Sequence, residues 1–298
     1  MGLMSNGNDT EDTSRNQLIE FCHVHHNGNW DHAGYNHNFY MGGMSVTVRA
    51  CEINHALTGH NYKSRARFNR LEWCYLHDSA NREFDLVDGA GETDYAGADS
   101  VILGCLIVKA AGMDGNKTVI HWGQDGGNDH YGRLWLVNNT IVTPYISPVV
   151  DCSAVNASAR LINNIVWDTD CGQTGQQLVN ARNGASLANI DGSHNWLSYG
   201  LQIADGTAID AGTTYSATSG ENPPFAGGLN PDAALDGWRL NASDANITGA
   251  GLGWESIALP VGVGLAPGDF VCEYRDQLWL APRSVDTIDD LGAFALVE

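Results

Sequence analysis

Short apolar runs recur along this chain, each interrupted by Gly or Asn, and they come in two kinds. One kind leads into a Cys or Asn: QLIEF, SVTVRA, NRLEW, SVILG, RLWLV and ARLIN precede Cys22, Cys51, Cys74, Cys105, Asn139 and Asn164. Three residues before that position stand Ile19, Val48, Leu71, Ile102, Leu136 and Leu161. Two residues after it stand Val24, Ile53, Leu76, Ile107, Ile141 and Val166. Both columns are aliphatic throughout. The second kind is NFYMG, NYKSRA, EFDLVD, VIHWG, VVDCS and LVNAR. Its apolar column is Phe39, Tyr62, Phe84, Ile120, Val150 and Val179, followed by Met41, Ser64, Leu86, Trp122, Cys152 and Ala181. The pattern returns roughly every 30 residues, the period of a stacked repeat. Gly and Asn punctuate every run, so helices find no room.

These features predict an all-β fold, a right-handed parallel β-helix with two runs per coil. Equivalent strands of successive coils should pair about 4.8 Å apart. The Cys/Asn column should then stack at one bend, with Asn amides bonded along the stack and thiols reduced and packed as small hydrophobes. Coils are expected over 1–212. Residues 213–298, rich in Gly, Pro, Ala and Asp, are expected to form an irregular segment that covers or caps the solenoid. The opening residues carry no secretion signal and no starting cap, so the chain reads as part of a longer natural protein.

Alternation along the second run turns Tyr40, Lys63, Asp85, His121, Asp151 and Asn180 outward as one row. Arg65, Gly123, Ser153 and Arg182 lie one step further on the same face. The row is read as a solvent-facing site with catalytic candidates Lys63, Arg65, Asp85 and His121. Tyr40, Asp151 and Arg182 are the substrate-binding candidates. As an exposed side chain, Lys63 should contribute little to stability.

Composition sharpens this picture. The formal charge is -20, with 15 Lys+Arg against 35 Asp+Glu in 298 residues, which argues against nucleic acid as a partner. No apolar run is long enough to span a bilayer. Against this acidity Lys63, Arg65, Arg67 and Arg70 cluster, as a site for an anionic sugar would require. An Arg pairs with a uronate carboxylate, and a base (Lys63, His121 or Tyr40) removes the neighbouring proton in a β-elimination. The same row also admits hydrolysis. Asp85 and Asp151, two coils apart, should stand about 9–10 Å from one another, near the carboxylate spacing of inverting glycosidases. A non-catalytic glycan-binding or structural β-helix is the third reading.

Ten of the eleven histidines precede residue 131, and His23, His25, His26, His32 and His37 crowd one coil. They lack a fixed ligand spacing, and no metal site is assigned to them. The GQDGGNDH stretch, with Asp125 and Asp129, reads as a Gly-rich turn rather than a calcium loop. Trp30, Trp73 and Trp135 are candidates for sugar stacking, whereas the register turns Trp122 inward.

GYNHNFYMGG, GHNYKSRA, VIHWGQDGG and LWLVNNTIV, with NPDAALDGWRL and DDLGAFALVE near the end, are similar to stretches of bacterial parallel β-helix repeat proteins of the pectin-lyase-like superfamily. Lys63-Ser64 further resembles the Lys-Ser dipeptide of chondroitinase B and alginate lyase-type polysaccharide lyases. The resemblance implies a polysaccharide or oligosaccharide substrate, a Lys base with an Arg nearby, and often a bound calcium ion. It also implies an extracellular or periplasmic protein. A monomer is expected.

Overall fold

The structure is a computed structural model that describes residues 1–5, 13–112, 115, 118–144, 148–170, 175–203, 215, 218–228, 235–241, 244–260, 272–275, 278–283 and 290–294. It is a right-handed parallel β-helix with three sheets. The first contains Leu3–Met4, Phe39–Met41, Tyr62–Ser64, Phe84–Val87, Ile120–Gly123, Val150–Ser153, Gln177–Arg182 and Gln202–Ile203. The second contains Gln17–Glu20, Ser45–Arg49, Phe68–Glu72, Ser100–Leu103, Arg133–Val137, Ser158–Ile162 and Ile190–Ser193. The third contains His23–His25, Glu52–Asn54, Tyr75–His77, Leu106–Val108, Thr140–Thr143, Ile165–Asp168, Trp196–Ser198 and Thr218–Gly220.

Each coil therefore has three strands rather than two. The residue before the Cys/Asn position splits the first predicted run by turning into the left-handed region. Phe21, Ala50, Trp73, Gly104, Asn138, Asn163 and His194 have φ of 52°, 51°, 49°, 61°, 52°, 59° and 54°. That turn carries the chain from the second sheet to the third.

The corner breaks the backbone ladder, and the Cys/Asn column repairs it. The Cys105 N–H donates to Asn139 Oδ1, that of Asn139 to Asn164 Oδ1, and that of Asn164 to Asn195 Oδ1, each at 2.9 Å. The amide Nδ2 groups of Asn139, Asn164 and Asn195 donate to the carbonyls of Ile102, Leu136 and Leu161, again at 2.9 Å. In earlier coils sulfur takes the same place, with Cys22 N 3.4 Å from Cys51 Sγ and Cys74 N 3.4 Å from Cys105 Sγ. Burial pushes the Cys74 thiol well above its ordinary value, so Cys74 packs as thiol and not thiolate. Cys22, Cys51, Cys74, Cys105 and Cys152 are free thiols. Cys171 lies outside the described residues.

Replacing Asn164 by Ala strands the buried Asn139 N–H and Leu136 carbonyl, at a cost of about 2–4 kcal/mol. The melting temperature should fall by about 5–10 °C. Asn164→Cys should recover part of that loss, since Cys serves this column elsewhere. An unchanged melting temperature in Asn164→Ala would show that the ladder contributes nothing net.

Inside the coils, Phe39, Tyr62 and Phe84 stack with ring centroids 5.7 and 5.9 Å apart, and Trp122 is fully buried further along the first sheet. Outside them, the second and third sheets change character along the axis. Early outward positions include the polar His23, Glu52 and His77, whereas later ones include apolar residues that the C-terminal segment covers. Phe225, Trp238, Leu240, Ile247, Leu291 and Phe294 pack on Leu106, Val142, Ile165, Trp167 and Trp196 of the third sheet. Ile257 packs on Val101, Leu103, Trp135, Val137 and Ile162 of the second. Strands buried on both faces lose apolar/polar alternation, which is why SVILG and RLWLV read as continuous apolar runs. Thr218–Gly220 still pairs with the third sheet, past residue 212. The described part of the segment also contains one antiparallel hairpin, Cys272–Arg275 with Trp279–Pro282. The outer face of the first sheet carries the row of Lys63, Asp85, His121 and Asp151.

Candidate active site

Register aligns Tyr40, Lys63, Asp85, His121, Asp151 and Asn180 as direct neighbours on successive strands of the first sheet. The row is not solvated, however. Lys63 is 8%, Asp85 0% and His121 1% exposed. A row of charged side chains at strand spacing neutralises itself, and neighbouring turns close over it.

Asp85 is the hub. Its Oδ1 accepts from His121 Nδ1 at 2.9 Å and from Arg82 Nη1 at 2.5 Å. Its Oδ2 accepts from Lys63 Nζ and faces His60 Nε2 at 3.3 Å. Burial alone would raise this carboxyl, but His60, His121, Lys63 and Arg82 outweigh it and hold Asp85 well below the usual carboxylate range. An ionised carboxylate only accepts, so His121 carries its proton on Nδ1. Nε2 is left with the lone pair, 2.7 Å from Ser153 Oγ and 2.9 Å from Arg182 Nη2. Asp85, His121 and Ser153 thus follow the order of a nucleophile relay. Ser153 is fully buried, and Gln124 N donates to its hydroxyl at 2.9 Å, so the hydroxyl is sealed from any substrate.

Two members of this network, His60 and Arg82, escape the sequence reading. They precede strands of the first sheet at a second bend. There Asn38 Nδ2 donates to Asn61 Oδ1 at 2.8 Å, and Asn61 Nδ2 to Glu83 Oε2 at 2.5 Å. Beside that stack, the His60 N–H donates to His37 Nδ1 at 3.0 Å and the Arg82 N–H to His60 Nδ1 at 3.1 Å. Burial, the largest cause, lowers His37 to about 4 and takes His60 well below its ordinary value. The signal was the repeated His-Asn-aromatic triplet at 37–39 and 60–62.

The turn after Gly123 forms a wall. The Asp88 carboxylate accepts the N–H groups of Asp125, Gly126 at 2.7 Å and Asn128 at 2.8 Å. Asp125 Oδ2 then reaches Lys63 Nζ at 3.1 Å and Arg65 Nη2 at 2.8 Å. Arg65 Nε donates to Tyr40 OH at 3.0 Å. Asp151 accepts from Arg182 Nε at 2.8 Å and Asn180 Nδ2 at 3.0 Å. These carboxylates already serve cations and amide donors, and Asp129 serves Asn156 Nδ2 at 2.6 Å. The donor set therefore does not fit the calcium ion that the family resemblance implies.

Above the row lies a pocket of about 530 Å³ lined by Arg82, His121, Gln124, Asp125, Gly127, Asp151, Arg182 and Asn183. Of the candidate residues, His121, Asp151 and Arg182 line it. Lys63 and Asp85 lie buried beside it, and Arg65 and Tyr40 pair with each other outside its lining. The two carboxylates in the lining are Asp125 and Asp151, and the two cations are Arg82 and Arg182. Among the tryptophans, Trp73, Trp122 and Trp135 are buried, whereas Trp30 is 76% exposed.

No family model matches the chain, and no curated protein does. Among solved structures it is similar to the crystal structure of pectate lyase Pel9A, with a TM-score of 0.53 and 17% identity, covering 94% of this chain and 65% of that one. At that identity the likeness speaks for the fold. The chain spans about two thirds of the length of that lyase. Among the described residues no helix is long and apolar enough to cross a membrane.

Proposed function

We propose that this protein is a polysaccharide lyase that cleaves a uronate-containing glycan by β-elimination, with His121 as the base. The observation that carries the reading is the Asp85–His121 pair at the lining of a pocket that holds two arginines, with Nε2 against the Arg182 guanidinium. Asp85 fixes the tautomer and stabilises the imidazolium that forms. Arg182 and Arg82 bind the uronate carboxylate, which acidifies the C–H beside it. Arg182 and the Ser153 hydroxyl cover His121 Nε2 at 2.9 and 2.7 Å, so the base is freed when Arg182 moves to the substrate carboxylate and the hydroxyl turns to the Gln124 carbonyl, 3.2 Å away. Nε2 takes the C5 proton, the C4–O bond breaks, and a C4=C5 double bond forms. The imidazolium returns a proton to the departing oxygen.

In this reading Lys63 keeps Asp85 and Asp125 compensated and does not act as the base, because its ammonium is committed to both carboxylates. The pair Asp85 and Asp151 does not serve hydrolysis, because Asp85 is fully buried among cations. The substrate is an extracellular or periplasmic polysaccharide, and one chain suffices to form the pocket. Incubation with a panel of uronic-acid and neutral polysaccharides should release product absorbing in the ultraviolet from a polyuronate alone. New reducing ends without that absorbance would replace the lyase with a hydrolase using Asp125 and Asp151. Binding without turnover across the panel would favour a non-catalytic glycan binder.

A further inference from the structure

The outer face of the third sheet is polar on its early coils. His23, Glu52 and Tyr75 form one column there, and His25, Asn54 and His77 the next. At the corner that follows, His26, His55 and Asp78 take left-handed backbones, with φ of 55°, 50° and 56°. The shared conformation sets these side chains one above another, a strand spacing apart. Asp78 Oδ2 lies 2.7 Å from His77 Nδ1 and 3.8 Å from His55 Nε2. One ligand atom from each of His55, His77 and Asp78 falls within 4.8 Å of the other two, and all three residues are half-buried and open to solvent.

We propose that His55, His77 and Asp78 form a binding site for a divalent transition-metal ion of the zinc class, which ties two neighbouring coils together away from the pocket on the first sheet. Two imidazole nitrogens and a carboxylate oxygen are the donors such ions take. With bonds of about 2.0–2.1 Å, tetrahedral donors stand about 3.4 Å apart. The spacings of 2.7 and 3.8 Å bracket that value. The His55 side chain is 44% exposed and held by Nδ1 to Asn54 Oδ1 at 2.9 Å, and a rotation of the ring closes the remaining gap. Water completes the fourth position.

A further observation fits a ligand. The second ring nitrogen of His77 faces Glu52 Oε1 at 3.5 Å, and Glu52 in turn accepts from Tyr274 OH at 3.2 Å. A carboxylate on the far nitrogen is how proteins orient a metal-bound imidazole. The ion takes the place of the proton now shared by His77 and Asp78, which leaves to solvent. His23 and His25 are not part of this set.

The test is calorimetric titration of Zn²⁺ into the full chain after treatment with a chelator. One ion per chain should bind. His55→Asn, which keeps a residue tolerant of the left-handed corner, should weaken binding by about tenfold or more, and Asp78→Asn by a similar factor. His25→Ala should leave the affinity within about twofold. Co²⁺ in place of Zn²⁺ should give visible bands of a tetrahedral site. Circular dichroism checks the fold of each variant, and His55→Asn alone decides the matter where Asp78→Asn does not fold. Absence of saturable Zn²⁺ binding, unchanged affinity in His55→Asn, or loss of binding on His25→Ala would overturn the assignment.

Discussion

His121→Ala should lower the turnover of a polyuronate by about 10²–10⁴-fold, the range a positioned general base supplies. The Michaelis constant should change much less, because the arginines that hold the substrate carboxylate remain. Arg182→Ala should show the converse pattern, a raised constant with a smaller loss of turnover. His121 is buried and bonded to Asp85, so its loss also removes a packed side chain, and the comparison requires a folded variant by circular dichroism. Turnover is read from the ultraviolet absorbance of the unsaturated product. Wild-type turnover in His121→Ala would end its role as base and return Lys63 to that place.

Lys63→Ala separates the two assignments because it predicts opposite outcomes for stability and for rate. An exposed lysine would contribute within about 0.5 kcal/mol. Lys63 is instead buried between Asp85 and Asp125, and its removal leaves both carboxylates with fewer partners. Asp85 keeps Arg82, His60 and His121, which limits the cost to about 2–3 kcal/mol. The melting temperature should fall by about 4–9 °C while turnover falls only in part. If the melting temperature stays put and turnover vanishes, Lys63 is the base and its burial carries no energetic weight.

Much of the fold was legible because a solenoid repeats one physical problem in every coil. A residue inside the first coil meets the same neighbours as its equivalent in the next, so aliphatic columns mark the register without knowledge of the loops. Tyr62 opposite Phe84 and Leu71 opposite Ile102 follow directly from those columns. The corner ladder was legible through Asn164 but not to Asn195, where His194-Asn195-Trp196 lacks the aliphatic approach of earlier coils. The third strand was missed for a different reason. A single left-handed residue, such as Ala50 or Trp73, breaks a strand without any composition signal, since only Gly and Asn advertise that conformation.

The candidate site divides along the same line. Alternation alone places Lys63, Asp85, His121 and Asp151 side by side, because parallel strands in register convert residue numbers into neighbours. Burial, protonation and access have no such local code. Lys63 lies under cover because Asp125, more than sixty positions later, folds back in a turn held by Asp88. His60 and Arg82 reach Asp85 from bends whose loops differ in length from coil to coil. His55 and His77 come together with Asp78 because equivalent corners stack. Periodic contacts follow from sequence because each is repeated by the backbone ladder. The charges that face a given carboxylate are set by loops, which no ladder constrains, and are decided when the chain closes on itself.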